Sequence, residues 1–477
     1  AGMNLLLLLA CLRVTPSPGW SDPVVVTDSA MAWSYQQSMQ MDDQGRFHLV
    51  WGGYKDGPRI GYKMFDLDGT TLFPDTMISR DVTSAYNSTT TMGDSLFAFW
   101  RESDPVYYAI RSLSDGSEIT PATYLFTTYT MYGYIRACPD SLGRLHVLYN
   151  DGSDIIYSVW NPAPGSGFIT EYEWMIEGAI AGGVLLVDGD RVHVVVQDTL
   201  NWDFSYLQYD LEGNTVVPLT DFTLSGDLWA SRFPELEVDS DRNLLVIEEA
   251  SFFWKSDKAF YLWKLNGETG ELMIEQKALV WPQIPDMDTS KSFVVGPTLD
   301  TDHFYLCWTD GYFENKIYNM VFDSDGEVVL DWHIAYDYTD EDPEDLYEMD
   351  GAVDDAGNLY VVYSQVETEP EIDYFPTFGW FDYDYLGIAE EGSRPIGSGF
   401  SFSGNPVRTS VTVHVPGMSS GVLRVYDLAG REVSSIKVTD GSGVWYGRDA
   451  RGERLPAGVY TVVAPGGVAR RLTLLSD

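Results

Sequence analysis

Apolar runs recur along this chain about every 50 residues, each introduced by an acidic or glycine-bearing turn. The first turn is Asp42-Asp43-Gln44-Gly45-Arg46, and the run is Phe47-His48-Leu49-Val50-Trp51. The pattern returns over Gly93 to Trp100, Asp140 to Tyr149, Asp188 to Val196, Asp239 to Ile247, Asp300 to Trp308 and Asp354 to Tyr363. These runs are apolar on both faces, as strands are when neighbours cover both sides. A second signal follows each run. An apolar or aromatic segment ends in Asp, Asn or Ser, and a Gly comes shortly after. The instances are Phe65-Asp66 to Gly69, Leu113-Ser114 to Gly116, Trp160-Asn161 to Gly165, Tyr209-Asp210 to Gly213, Leu265-Asn266 to Gly267, Phe322-Asp323 to Gly326 and Phe381-Asp382 to Gly387. Asp or Asn with Gly supplies the positive-φ positions of a hairpin turn.

Each period therefore predicts an inner strand, a turn, an apolar strand, a loop, an aromatic strand, a hairpin and an outer strand. That is one four-stranded antiparallel blade. Seven periods predict an all-β chain with a seven-bladed β-propeller over residues 21–395, closed so that its strand edges are hidden. The units resemble those of the broad β-propeller superfamily, and that resemblance implies architecture without chemistry. The apolar segment Pro23-Val24-Val25-Val26-Thr27-Asp28 precedes the first full unit. It is expected to add the outermost strand of the seventh blade and so latch the ring.

The pattern changes near Gly404. Asn405-Pro406, Val422-Leu423-Arg424-Val425-Tyr426-Asp427-Leu428-Ala429-Gly430, Trp445-Tyr446-Gly447-Arg448-Asp449 and Leu455-Pro456-Ala457-Gly458-Val459-Tyr460 are spaced motifs. Together they resemble the Ig-like C-terminal sorting domain of type IX secretion cargo, and equally the flagellar hook-capping Ig-like fold. The resemblance implies a small Ig-like β-sandwich over residues 396–477 that export machinery reads at the outer membrane.

Charge separates the same two regions. The 477 residues carry 29 Lys and Arg against 72 Asp and Glu, a net of −43. Residues 396–477 hold nine basic and six acidic residues, a net of +3, which leaves −46 for the rest. A body this acidic repels nucleic acid and anionic membranes. Leu5 to Leu9 followed by Ala10-Cys11 resembles the end of a signal peptide, and Leu8-Leu9-Ala10-Cys11 also resembles a lipobox. Residues 1–20 are thus expected to be an export or lipoprotein leader. No later stretch is long and apolar enough to span a bilayer as a helix. Cys138 and Cys307 fall three repeats apart, so no bridge is expected between them.

The search for chemistry yields little. His48, His146 and His193 share one slot of three repeats, but that slot lies on the second strand, away from the axis, and equivalent slots there cannot converge. They are expected to be structural. Sialidases are propellers whose Asp-box lies in the third-to-fourth-strand hairpin and whose arginine triad holds a carboxylate. Here Asp43-Gln44-Gly45 falls between first and second strands, and only Arg136 and Arg232 fall near inner strands. Calcium is the candidate cation. Asp66 and Asp68, and likewise Asp323 and Asp325, carry carboxylates at alternate positions of Asp-x-Asp-Gly turns. The acidic run Asp337 to Asp345 is a comparable candidate. No nucleophile elbow, phosphate loop or zinc motif occurs, and no catalytic residue is assigned. The expected function is an exported binding or adhesion protein, at the surface or secreted, for an extracellular glycan or protein. The rivals are a glycan-active hydrolase or lyase with acidic residues at the channel mouth, and a subunit of an extracellular assembly.

Overall fold

The computed structural model describes residues 16–17, 19–26, 32–54, 58–79, 84–102, 104–128, 135–151, 154–163, 167–176, 182–197, 204–222, 228–230, 234–252, 258–280, 293–299, 302–309, 316–338, 346–354, 356–367, 373–381, 401–402, 410–414, 420–426, 431–439, 442–449, 451–456, 458–463 and 469–474. The leader residues through Cys11, Arg232, Asp382 to Gly387 and most of the acidic run at 337–345 lie outside the described residues. The chain divides into two compact units, Ala1–Tyr383 and Asp384–Asp477.

The first unit is a β-propeller. Among the described residues it holds seven antiparallel sheets, each built from consecutive strands apart from one exchange. The inner strands are Ala32–Met41, Ser84–Met92, Ile135–Pro139, Gly182–Asp188, Glu235–Val238, Phe293–Pro297 and Leu346–Val353. Each lies beside the next, and the last lies beside the first, so the ring closes. The second strands are the driest part of the fold. Trp51, Trp100 and Trp308 are fully buried. Phe47, Leu49 and Trp51 of the first blade pack with Tyr360, Val362 and Phe378 of the seventh, one continuous core across the closing seam.

The latch expected from the valine run is present. Val24–Val25 pairs antiparallel with the strand Asp373–Phe381 of the seventh blade, Val24 opposite Phe378 and Val25 opposite Thr377. Val26 is buried, and its N–H donates to the Pro376 carbonyl at 3.1 Å. The contact begins earlier than residue 21. Trp20 is buried against Tyr336 and Phe381, and the Ser17 N–H donates to the Ala335 carbonyl. The expected leader boundary at residue 20 cuts through this segment.

Turn chemistry follows from the sequence pattern. Asp42, Asp140, Asp239 and Asp354 each open the turn between first and second strands. In each, Oδ1 accepts the N–H four residues on, from Arg46, Arg144, Asn243 and Asn358. In one hairpin the positive-φ residue differs from the expected one. The Asn266 turn runs on to Glu271, and Gly270 at φ +70°, not Gly267, takes the left-handed position. The outer strands carry edge protection. Pro74, Pro121 and Pro218 sit at matching places, each with a Thr hydroxyl two residues on donating to its carbonyl, and a register shift breaks each pairing. Proline and bulges blunt an exposed edge.

The second unit places seven strands on one pairing path. In order across the sheet they are Ser401–Phe402, Val411–His414, Ser442–Trp445, Glu432–Thr439, Ser420–Tyr426, Gly458–Val463 and Ala469–Leu474. The path narrows to one residue pair, Thr439 with Ser442, between a group of four strands and a group of three. One core nonetheless gathers Val413, Leu423, Val425, Ile436, Trp445, Tyr460 and Val462.

Candidate functional site

A ring brings equivalent positions of its inner strands together at the axis. Ser38, Arg136, Glu235 and Asp350 each stand four residues before the aspartate that opens their turn. Each pairs with an equivalent residue of its second strand: Val50, Leu148, Ile247 and Val362. Four blades thus contribute one polar residue each at one level of the axial channel. Glu237 lies two residues further along, on the same side of its strand as Glu235.

The contacts bear out this placement. The Ser38 side chain hydrogen-bonds to the Asp350 carboxylate and meets the Thr89 hydroxyl of the next blade at 2.7 Å. Asp350 also accepts the N–H groups of Met39 at 2.7 Å and Gly351 at 2.8 Å. Arg136 exerts its charge on both Glu235 and Asp350, although the three residues come from different blades.

Glu235, Glu237 and Asp350 are half-buried. Protein nevertheless surrounds them, and loss of bulk solvent penalises their charged forms. Burial pushes Glu235 up to about 7, with Arg136 pulling it down and Asp350 pushing it up. Burial and the neighbouring Glu235 charge push Glu237 up to about 8. Burial pushes Asp350 up to about 6, against the hydrogen bonds from Met39 and Gly351. At neutral pH the site therefore mixes a guanidinium, hydroxyls and carboxyl groups that can donate or accept a proton. That set suits hydroxyl-rich ligands, cations, or proton transfer.

The three histidines are structural, as their slot implied. All are buried. His48 bonds Tyr62 Oη through Nδ1 at 3.0 Å and Asp42 Oδ2 through Nε2 at 3.2 Å. His146 repeats this with Tyr157 and Asp140. His193 keeps the Tyr206 contact at 2.9 Å, but its Nε2 has no hydrogen-bond partner. Its turn aspartate, Asp188, is held instead by Arg242 of the fifth blade at 2.7 Å. Burial lowers all three below the ordinary histidine range, His193 to about 4.

These shifts act in different pH windows. A histidine depressed in the folded state binds fewer protons there than when unfolded, so its contribution is lost as pH falls below about 6.5. A carboxyl raised in the folded state binds more protons there, so its contribution is lost as pH rises through its folded value. Between about pH 7.5 and 8.5 the histidines are largely neutral in both states, and the raised carboxyls set the slope. The melting temperature is expected to fall across that window, and Glu235→Gln with Glu237→Gln is expected to flatten the fall. Scanning calorimetry at half-unit pH steps reads both. A rising or flat wild-type curve would contradict the assigned shifts.

The turn aspartates lie away from this ring and apart from one another. Asp66 and Asp68 close the third hairpin of the first blade, with Asp66 Oδ1 accepting from Thr70 at 2.9 Å. Asp323 and Asp325 close that of the sixth blade, where Asp323 Oδ1 accepts from Glu327 at 2.8 Å and Asp325 pairs with Lys264 at 3.0 Å. Among the described residues, no group of three or more His, Cys, Asp or Glu is placed to hold a metal ion. Cys138 and Cys307 are free thiols. The described residues contain no helix long and apolar enough to cross a membrane.

The sequence pointed to Arg136 and missed Glu235, Glu237 and Asp350. Their signal was the fixed offset from each turn aspartate, which gains meaning only once the strands are known to face an axis.

Comparison with solved structures supports the propeller class. A polysaccharide lyase of the PL25 family, an ulvan lyase solved with bound -[GlcA(1-4)Rha3S]-, is similar over 76% of this chain and 95% of its own, with 12% identity and a TM-score of 0.51. A protein of unknown function from Dyadobacter fermentans covers 76% of this chain and 100% of its own at 10% identity and a TM-score of 0.46. PorZ, a surface component of the type IX secretion system of Porphyromonas gingivalis, covers 92% of this chain and 81% of its own at 12% identity and a TM-score of 0.29. At these identities the ulvan lyase likeness speaks for the fold alone, and the other two carry no argument. No protein-family model matches the chain, and no curated protein matches it.

Proposed function

We propose that this chain is an exported recognition protein, displayed on the cell surface or secreted, whose seven-bladed propeller takes an extracellular ligand at the axial channel. The observation that carries the reading is the convergence of Arg136, Glu235 and Asp350 from three blades on one level of the axis, with Glu237 two residues along from Glu235. Channels that gather a few polar groups within an apolar scaffold are the usual ligand sites of closed folds. Carboxyl groups raised toward neutrality and partly protonated near pH 7 offer hydroxyl-rich ligands both donors and acceptors.

A second reading, a glycan-active lyase or hydrolase, draws on the same carboxyls. A guanidinium beside acids raised toward neutrality is a set that can give and take protons. The ulvan lyase shares the fold at a level that leaves its chemistry its own. A glycan array run beside an assay for new reducing ends and unsaturated products separates the two. Retention without products supports recognition. Products that disappear in Glu235→Gln and Asp350→Asn support the enzyme.

The C-terminal unit, with its opposite charge balance and family-like motifs, reads as an Ig-like sorting module. In the native host, deleting residues 404–477 is expected to leave a folded propeller in the periplasm. Surface display of the truncated chain at the normal level would overturn that role.

Calcium is the cation that the two Asp-x-Asp-Gly turns would take, since Asp68 and Asp325 are exposed. Low-millimolar calcium should then raise the melting temperature beyond sodium at matched ionic strength, and Asp66→Asn with Asp68→Asn should remove part of the increment. Coincident curves would leave the turns as plain hairpins.

A further inference from the structure

The outer strand of every blade is a sheet edge, and an unblunted edge invites pairing with another chain. Among the described strands, six of the seven outer edges carry a device against it. Pro74, Pro121 and Pro218 interrupt those of the first, second and fourth blades. The fifth, Leu272–Val280, is bent by register shifts and by Gln276 at φ +45°, beside Lys277. The sixth, Val328–Asp337, is capped by Ser17, whose N–H donates to the Ala335 carbonyl at 3.0 Å. In the seventh the edge is the two-residue latch Val24–Val25.

The third blade is the exception. Its outer strand, Gly167–Ile176, has ten residues, no proline and a single register shift, whereas the outer strands of the first, second, fourth, fifth and sixth blades shift at least twice. No described strand pairs with its outer side. An aromatic residue also takes the slot that three sister blades give to proline. Thr76, Thr123 and Thr220, each two residues after a proline, pair with Tyr62, Tyr108 and Tyr206. Here Trp174 pairs with Tyr157, so Tyr172 stands in the proline slot. Tyr62, Tyr157 and Tyr206 are the tyrosines that hold the three buried histidines, so the slots correspond.

The side chains on this edge suit a partner. Tyr172 is exposed and stacks on Trp174, with ring centroids 5.5 Å apart. Ile169 and Met175 are exposed at 60% and 57%. Tyr and Trp with apolar neighbours are the usual anchors of protein interfaces. Charge selects which partner. Glu171 pairs with Arg144, whose guanidinium also donates to the Leu211 carbonyl of the fourth blade. Glu173 accepts from Tyr149 Oη, whose ring packs on Phe126 of the second blade. One carboxylate thus stands on each face of the strand. Pairing with the same strand of a second copy would bring these carboxylates together, which is destabilising. A basic strand meets both, and the body's net charge of −46 attracts it.

We propose that the outer edge of the third blade is a docking surface for an extended basic segment of another protein. The segment adds as a fifth strand along Gly167–Ile176 and sets two adjacent Lys or Arg side chains, one on each face, against Glu171 and Glu173. Main-chain hydrogen bonds supply affinity, and Tyr172 with its apolar neighbours supplies contact area. The prolines of the sister blades confine the docking to one edge. The inner strands that line the axis take no part in it.

The test uses the full chain, titration calorimetry and amide hydrogen exchange. The probe is a ten-residue Val/Thr peptide with two adjacent arginines at its centre. One control peptide replaces both arginines by glutamate, and another N-methylates alternate backbone amides. The arginine peptide is expected to bind and to slow exchange within residues 167–176 and in no other outer strand. Each control is expected to bind at least about tenfold more weakly, through lost charge attraction or lost ladder hydrogen bonds. Tyr172→Pro installs the sister-blade residue and is expected to weaken the arginine peptide by at least about tenfold. Glu173→Lys leaves the backbone unchanged and is expected to bring the arginine and glutamate peptides within about threefold of each other. Equal binding of the three peptides by wild type, protection on another blade, or no binding by the arginine peptide would overturn the proposal. A dimer of the full chain that protects 167–176 without peptide would assign the edge to a second copy and overturn it as well.

Discussion

A chain lacking residues 16–26 should melt at least about 10 °C below the full chain and expose a reactive strand edge. The segment joins two blades. Ser21 N–H donates to the Trp380 carbonyl, and Tyr336 Oη donates to the Ser21 carbonyl at 2.9 Å. Trp20 fills the space between Tyr336 of the sixth blade and Phe381 of the seventh. Emptying such a site costs about 3–5 kcal/mol on its own, and the truncation adds the loss of Val26 and of the latch pairing. The uncovered strand Asp373–Phe381 would present unpaired N–H and carbonyl groups, the template for edge association. Differential scanning calorimetry with light scattering reads both effects. Trp20→Ala gives a milder version of the same loss without changing chain length. Melting equal to wild type in the truncated chain would rule the latch out.

The second large effect concerns the axis. Arg136→Ala should weaken the ligand found on the array by at least about tenfold, because a guanidinium hydrogen bond is worth about 1.5–3 kcal/mol. Arg136 is also the cation holding Glu235 and Asp350 down. Without it both carboxyls rise further, so the pH at which the site titrates moves upward. Arg191→Ala is the matched control. Arg191 opens the second strand of the fourth blade, beside the far end of its inner strand, and pairs with the exposed Asp190 at 2.8 Å. A uniform loss in both variants would point to bulk charge, and no loss in Arg136→Ala would remove the guanidinium from the site.

The propeller was legible because each blade repeats a strong local signal. The turn aspartates and the dry second strands depend on near neighbours in sequence, so Asp140 with Leu145 to Leu148 reads the same with or without the ring. The latch was legible for a related reason, since a valine run ahead of the first unit has few other uses. The site was not. Glu235-Leu236-Glu237 looks like an ordinary alternating strand, and its glutamates acquire raised affinities for protons only after distant blades close around them. The C-terminal motifs do hold strands, Ser420–Tyr426 and Gly458–Val463, but motif spacing does not determine how strands pair. Pairings such as Val411 with Trp445 and Arg424 with Val463 join residues far apart in sequence.

Carboxyl footprinting tests the axial account most directly. The wild-type chain is labelled with a carbodiimide and a small amine, with and without saturating array-selected ligand, and the labelled residues are read by mass spectrometry. The account predicts that ligand suppresses labelling at Glu235, Glu237 and Asp350 while leaving Asp68 and Asp325 at the outer hairpins unchanged. Protection at the hairpins or outer strands, with the three axial carboxyls labelled as before, would contradict it.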